Sequence, residues 1–312
     1  MSDVKKIATR ESYGNALAEC GKDFPNLVVL DADLAGATKT GTFQKAFPDR
    51  FFDCGIAECN MTGIAAGLAA AGKIPFISSF AMFAAGRNFE QVRNSIGYPK
   101  LNVKIGATHA GITVGEDGAS HQCLEDIALM RVIPGMTVIV PSDDVEAKAA
   151  VRAALEHVGP VYMRFSRAAS PVINDNPEYH FELGKGICLK DGKDLAIIAT
   201  GVEVSHALDA AELLKQDGIE ARVINIHTIK PLDEDIIIKA AKETGKLFTV
   251  EEHNILGGLG AAVAEVTGEK CPVEVHRFGM RDQFGESGPA GELLAKYKLD
   301  GKGIYQQIKE AL

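Results

Sequence analysis

Residues 101–131 read LNVKIGATHAGITVGEDGASHQCLEDIALMR. The run at 102–107 has the apolar, β-branched character of a strand, and the apolar spacing over 123–131 predicts a helix. Between them, residues 107–122 set His109, His121, Glu116 and Asp117 among Gly111, Gly115 and Gly118. A polar, glycine-rich loop that leaves a strand and enters a helix lies at the edge of an open α/β sheet, where such sheets take their ligands. The bland alternative is a solvated loop with incidental histidines. His109 and His121 lack the short spacing of a helical metal pair, so a zinc site is not expected.

The same alternation extends outward on both sides. Strands are expected at Leu27–Asp31, 75–78, 136–140 and 161–165, and helices at 58–71, 81–96 and 144–157. Pro141-Ser142-Asp143 supplies a cap for the last of these helices. The texture then changes: residues 168–193, AASPVINDNPEYHFELGKGICLKDGK, are rich in Pro, Asn, Asp and Gly and read as a linker between domains. Beyond it, strands are expected at 195–200, 220–226 and 247–251 and helices at 202–216 and 233–244, with another helix starting from the GGLG turn at 257–260. The fold class is therefore α/β, with two doubly wound domains, 1–175 and 191–312, joined by a linker at 176–190.

Composition excludes several classes of function. The chain has 312 residues, 46% of them hydrophobic, and a net charge of −9. Lys and Arg are scattered, with no run longer than Lys5-Lys6, so the basic footprint of a nucleic-acid binder is missing. The N-terminal MSDVKKIATR has no apolar core of a secretory signal, and the most apolar stretch, 64–71, is far too short to span a bilayer. A cytoplasmic protein is expected. None of the six cysteines, Cys20, Cys54, Cys59, Cys123, Cys188 and Cys271, forms a C-x-x-C pair, so reduced thiols are expected.

Two further segments of the first domain could carry chemistry. Residues 54–72, CGIAECNMTGIAAGLAAAG, put Glu58 at a turn that enters a helix of small residues. An acid in the first turn is favoured by the helix dipole, which is reason enough for it to be there. Gly63 and Gly67 leave a smooth face that another helix could approach. Residues 77–93, ISSFAMFAAGRNFEQVR, carry Phe80, Phe83 and Phe89 at a spacing that most often fills a core.

Taken in order, these segments resemble the pyrimidine-binding domain of transketolases. GEDGASHQ resembles that family's GEDGPTHQ-type loop, IAECNMTGIAAGLA its glutamate-bearing helix, and SSFAMF its aromatic segment. ATRES at 8–12 is similar to its A-T-R element, and RFSR at 164–167 ends the domain as the family's S-R does. GMRDQFGESG at 279–288 resembles a stretch of its C-terminal domain, so the resemblance runs over essentially the whole chain. Any one string is weak, but their shared order is strong.

The resemblance implies thiamine diphosphate as cofactor. Glu58 would hydrogen-bond the pyrimidine ring nitrogen and manage its proton, and Phe83 would stack on the pyrimidine face with Phe80 and Phe89 beside it. Asp33 would lie near the cofactor. His109, Asp117 and His121 match positions that contact sugar hydroxyls or phosphate, with His121 also catalytic, and Arg10 and Arg167 match phosphate-binding arginines. Where the family often has a phosphate-binding serine, this chain has Ala37 with Thr38 beside it. The aromatic segment is also longer than the family's.

One departure bears on assembly. The family's G-D-G motif, and the asparagine beyond it that helps hold a divalent metal, are not found; Glu116-Asp117-Gly118 belongs to a different loop. The diphosphate end of the cofactor and its Mg2+ or other divalent ion are therefore expected on a partner, the N-terminal subunit of a split transketolase. No metal ligand is expected on this chain, which would form a homodimer alone and a heterotetramer with its partner. Competing readings are a 1-deoxyxylulose-5-phosphate synthase-like enzyme, the β subunit of a 2-oxo-acid dehydrogenase, which usually lacks the G-E-D-G-x-x-H-Q loop, and a non-catalytic regulatory partner.

Overall fold

Strands that run parallel and carry helices on both sheet faces must be apolar throughout, and LVVLD at Leu27–Asp31 is buried at every residue. A computed structural model describes residues 5–312, so the first four residues of the expected 1–175 domain lie outside the described residues. In chain order the N-terminal half contains β1 (Lys6–Ala8), α1 (Thr9–Cys20), β2 (Leu27–Asp31), α2 (Ala35–Thr38), α3 (Gly41–Ala46) and β3 (Phe51–Asp53). Next come α4 (Glu58–Ala70), β4 (Ile74–Phe80), α5 (Phe89–Gln91), β5 (Lys104–Thr108) and α6 (Asp126–Arg131). It ends with β6 (Thr137–Ile139), α7 (Asp144–Glu156), β7 (Val161–Arg164) and β8 (Ala169–Pro171).

The C-terminal half contains β9 (Ile187–Lys190), β10 (Leu195–Ala199), α8 (Glu203–Gln216), β11 (Ala221–Asn225), β12 (Thr228–Lys230) and α9 (Glu234–Thr244). It continues with β13 (Lys246–Asn254), α10 (Leu259–Lys270), β14 (Glu274–Met280), α11 (Ala290–Lys296) and α12 (Gly301–Ala311). The expected α/β class and both doubly wound sheets are present.

The first sheet has the order β12-β6-β7-β5-β4-β2-β3 and the second β14-β13-β10-β11-β9. Within the first, β2, β3, β4, β5, β6 and β7 are mutually parallel. Its seventh strand, β12, comes from the C-terminal half and pairs antiparallel with β6. One apolar cluster accordingly runs unbroken from Ile105 and Val138 to Ile198, Ile224 and Val263.

Two expectations needed revision. The helix read over 81–96 is a short α-helical turn, Phe89–Gln91, between two π-helical stretches, Met82–Arg87 and Val92–Gly97. Its buried residues Ala81, Ala84, Ala85, Asn88, Val92 and Ile96 recur at three- and four-residue spacing, so the pattern reads as an α-helix although π-helical hydrogen bonding makes the backbone wider. The stretch read as a linker also holds β8, paired with β1, and β9, paired with β11. It is fastened by the cap of α7: Asp143 Oδ1 accepts from Glu146 N–H (2.9 Å), as Pro141-Ser142-Asp143 suggested, while Oδ2 accepts from Ile173 N–H and Asn174 N–H (2.8 and 2.7 Å).

Candidate active site

β2, β4 and β5 are neighbours whose carboxyl ends lie together. From β2 the chain goes to β3 on one side and to β4 on the other, and a reversal of this kind opens a crevice at the strand ends. Phe80 closes β4, and His109 follows β5 directly. The His109 ring stacks on Phe80 with centroids 3.8 Å apart, Phe80 stacks on Phe83 at 6.0 Å, and His121 meets Phe83 edge-on at 5.5 Å. The histidines of the loop and the aromatics after β4 therefore form one cluster.

Glu58 opens α4 and is 2% exposed. Its carboxylate turns to the sheet rather than along its own helix: Oε1 accepts from Ser79 Oγ–H at 3.2 Å, and Arg87 Nη1 donates to Oε1 and Oε2 at 3.2 and 3.0 Å. The same guanidinium lies 4.5 Å from the centre of the Phe83 ring. Glu58 and the aromatic cluster are thus linked through Arg87. Phe89 is partly buried and packs against the core of the first sheet.

Arg10 enters from α1. Its Nη1 donates to Ala37 O at 3.0 Å and faces His109 Nε2 at 3.1 Å, while its Nε is buried with no partner. Burial first, and the charge of Arg167 second, pull Arg10 below the ordinary arginine value. Arg167 Nη1 donates to Val114 O (2.8 Å) and Glu116 Oε2 (2.9 Å). Two guanidinium groups, one with an idle N–H, suit an anionic ligand. The A-T-R and S-R elements also meet, because Ser166 N–H donates to Thr9 Oγ1 at 2.8 Å.

His109 is held neutral. Burial first, then the charges of Arg10 and Arg167, push its pKa down to about 3. Asp117 is exposed on the loop, and Asp33 is exposed in a left-handed turn with φ 63°, its N–H donating to Asp53 Oδ1. Neither joins the ring cluster. Thr38 faces inward: it is buried, and its hydroxyl donates to Asp31 Oδ2 at 2.7 Å. That bond commits Thr38 to the turn.

Reading the sequence missed Arg87, Ser79 and Thr108. Arg87 stands in the quoted aromatic segment, where a lone cation among Phe, Ala and Gly was the available signal. Ser79 and Thr108 lie inside apolar strands, and nothing local distinguishes them.

Residues 5–172 match the pyrimidine-binding domain of transketolase, and residues 184–304 match the transketolase C-terminal domain. The chain belongs to the transketolase family. It is 55% identical over 305 residues to a putative transketolase C-terminal section of Methanocaldococcus jannaschii, covering 97% of this chain and 96% of the relative. A 6-deoxy-6-sulfo-D-fructose transketolase subunit of a Clostridium species is 44% identical, over 96% of this chain and 93% of its own. Among solved structures, one described as a split gene transketolase, inactive beta4 tetramer, superposes with a TM-score of 0.91 at 52% identity, over 98% of both chains.

Transketolases use thiamine diphosphate, and the donor set here suits one end of it. A buried carboxylate beside flat aromatic faces fits an aminopyrimidine, which offers a ring nitrogen to an acid and a π-face to Phe83. Among the described residues no three His, Cys, Asp or Glu side chains are grouped to hold a metal ion, and no helix is long and apolar enough to cross a membrane.

Proposed function

We propose that this chain is the C-terminal subunit of a split, cytoplasmic transketolase, moving a two-carbon glycolaldehyde unit from a ketose phosphate to an aldose phosphate. The observation that carries the proposal is Glu58, a buried carboxylate within reach of the Phe80–Phe83–His109–His121 ring cluster at the carboxyl ends of β4 and β5. The split arrangement is supported by the near end-to-end match to a relative named as a C-terminal section.

Thiamine diphosphate, when bound, supplies a stabilised carbanion for attack on the donor carbonyl. The chain's own residues bind, orient and move protons. Glu58 hydrogen-bonds the pyrimidine ring nitrogen and exchanges a proton with it, Phe83 with Phe80 supports the ring, and Asp33 borders the cofactor. Neutral His109, with His121 and Asp117, bonds the sugar hydroxyls, and His121 also moves a proton. Arg10 and Arg167 take the acid group at the far end of the sugar. Mg2+ or another divalent ion and the diphosphate would be held by the N-terminal subunit with its G-D-G motif, in a heterotetramer. Alone, the chain would pair with itself.

The acid group need not be a phosphate: one relative is named for a sulfonated ketose, and two arginines suit either anion. The test mixes this chain with a G-D-G-bearing partner, thiamine diphosphate and Mg2+, and compares fructose 6-phosphate with 6-deoxy-6-sulfofructose as donors. Transfer that needs both chains supports the proposal. Micromolar binding of thiamine diphosphate to this chain alone would overturn the division of the cofactor between two subunits.

A further inference from the structure

Open α/β sheets take ligands at the carboxyl ends of their strands, but in the second sheet that position is filled from within the chain. β13 carries Glu251, Glu252 and His253 near its carboxyl end, all buried. Glu252 binds the loop of the other half: its Oε2 accepts from Thr113 N–H at 3.1 Å and from Thr113 Oγ1–H at 2.7 Å. Gly111, with φ 79°, lets the Glu252 carboxylate lie against the loop backbone, since a Cβ there would stand 2.2 Å from Glu252 Cδ. Arg164 fixes Glu252 in turn, donating from Nη2 to its backbone carbonyl (3.0 Å) and placing Nη1 3.6 Å from Oε1.

The second half also grips the loop farther along. Gln122 Nε2 donates to Glu286 O at 2.9 Å, and a Cβ at Gly118 would stand 2.4 Å from Ser287 Oγ. Such a grip has something to hold. His109 is a non-glycine residue with left-handed φ, 57°, and backbone of this kind persists only where its surroundings over-determine it.

We infer that Glu252 is a positioning residue for the donor-sugar site, a clasp on the C-terminal half that fixes the loop bearing His109, Asp117 and His121. This rests on the reading of that loop as the sugar site. Glu58 is anchored apart from the loop, by Ser79 and Arg87, whereas Phe80 and Phe83 touch it through His109 and His121, so donor binding depends on Glu252 more steeply than pyrimidine binding does.

Because Glu252 also steadies Arg164, the substitution is made on the loop side of the contact. Thr113→Val removes one donor, and Thr113→Ser keeps it. Native-state hydrogen exchange on the full chain should show amides of residues 112–117 exchanging about tenfold faster in Thr113→Val, as the loss of one buried hydrogen bond implies. β4 and β5 should be unchanged, and Thr113→Ser should behave as wild type. In the complex with the G-D-G chain, the same variant should raise KM for a ketose phosphate about tenfold, with half-saturation by thiamine diphosphate shifting less. Unaltered loop exchange, or acceleration spread evenly over the chain, would overturn the clasp. So would donor and cofactor constants that shift by the same factor. A wild-type complex without transfer activity would instead remove the functional reading, while the exchange data still decide the clasp.

Discussion

A single nitrogen of Arg87, Nη1, reaches both carboxylate oxygens of Glu58, at 3.2 and 3.0 Å. The acid is almost wholly buried, whereas the Arg87 side chain is 49% exposed, so the pair joins an interior charge to the surface. Removing one partner of a buried ion pair costs about 3–5 kcal/mol; with one side in water, Arg87→Ala should cost about 1–2 kcal/mol. Glu58→Gln should lessen that cost, because a neutral amide needs no counter-charge. Urea unfolding of wild type, both single variants and the double variant gives the coupling energy, expected at about 1 kcal/mol or more. Strict additivity would mean that the pair does not form in solution.

The tautomer of His109 follows from its neighbours. Arg10 can only donate, so His109 Nε2 must accept, which puts the ring proton on Nδ1, 2.8 Å from Thr108 Oγ1. With its pKa pushed down to about 3 by burial and then by Arg10 and Arg167, the ring should stay neutral through physiological pH. The folded value lies below the ordinary histidine value near 6.5, so its contribution to stability is complete above that pH. It is lost as pH falls through the folded value. Nitrogen-15 NMR of the ring should show the Nδ1–H tautomer from about pH 8 down to about pH 5, and Arg10→Met should move the titration upward. A ring titrating near 6.5 in the wild type would refute this.

Asp143 does two jobs with one carboxylate, capping α7 with Oδ1 and holding Ile173 and Asn174 with Oδ2. A lost cap costs about 1 kcal/mol, and leaving two N–H groups unpaired in the interior adds to it, so Asp143→Ala should destabilise by about 2–4 kcal/mol. Asp143→Asn keeps one acceptor and should fall between. Denaturant midpoints rank the three proteins, and limited proteolysis should show earlier cutting near 174–180 in the alanine variant. Equal midpoints with unchanged cutting would rule out the double role.

Local pattern carried most of the fold. β2 spans the five residues its apolar run indicated, and α7 begins at the cap its sequence indicated. The failures have distinct causes. The buried residues from Ala81 to Ile96 keep helical spacing, so the widened backbone that begins at Met82 left no mark on periodicity. β12 is three residues long and adds to a sheet built by the other half, a placement no local signal encodes. Past the strand read at 247–251 the carboxylates of Glu251 and Glu252 are both buried: Glu251 accepts from Leu259 N–H and Gly260 N–H, and Glu252 from Thr113, 139 residues away in sequence. In the site, His109, His121, Phe80, Phe83 and Glu58 could be picked out by residue type and motif order. Arg87 and Thr108 act through contacts that only the folded chain creates.

The surface of α4 bears on assembly. Its segment is almost entirely apolar and small, yet only Glu58, Met61, Thr62 and Ala65 are buried. Ile56 and Phe52 just before it are 76% and 43% exposed, and Ile64 on the helix is 40% exposed. A Cβ added at Gly63 or Gly67 would meet nothing within 4 Å. Within a single chain, glycine at these positions therefore weakens the helix by about 1 kcal/mol relative to alanine without serving any contact. An apolar helix face left open in this way is what a second subunit covers. Gly63→Leu and Gly67→Leu should accordingly leave the isolated chain folded, with a melting temperature equal to or above that of wild type when both are compared dilute enough to be monomeric. They should abolish self-association and heterotetramer formation, because the leucine stands where the neighbouring subunit must approach. Light scattering should then give 33.2 kDa, the mass of the single chain. Undiminished assembly by both variants would place the subunit contact elsewhere, and a large drop in melting temperature would show that this face is already packed within the chain.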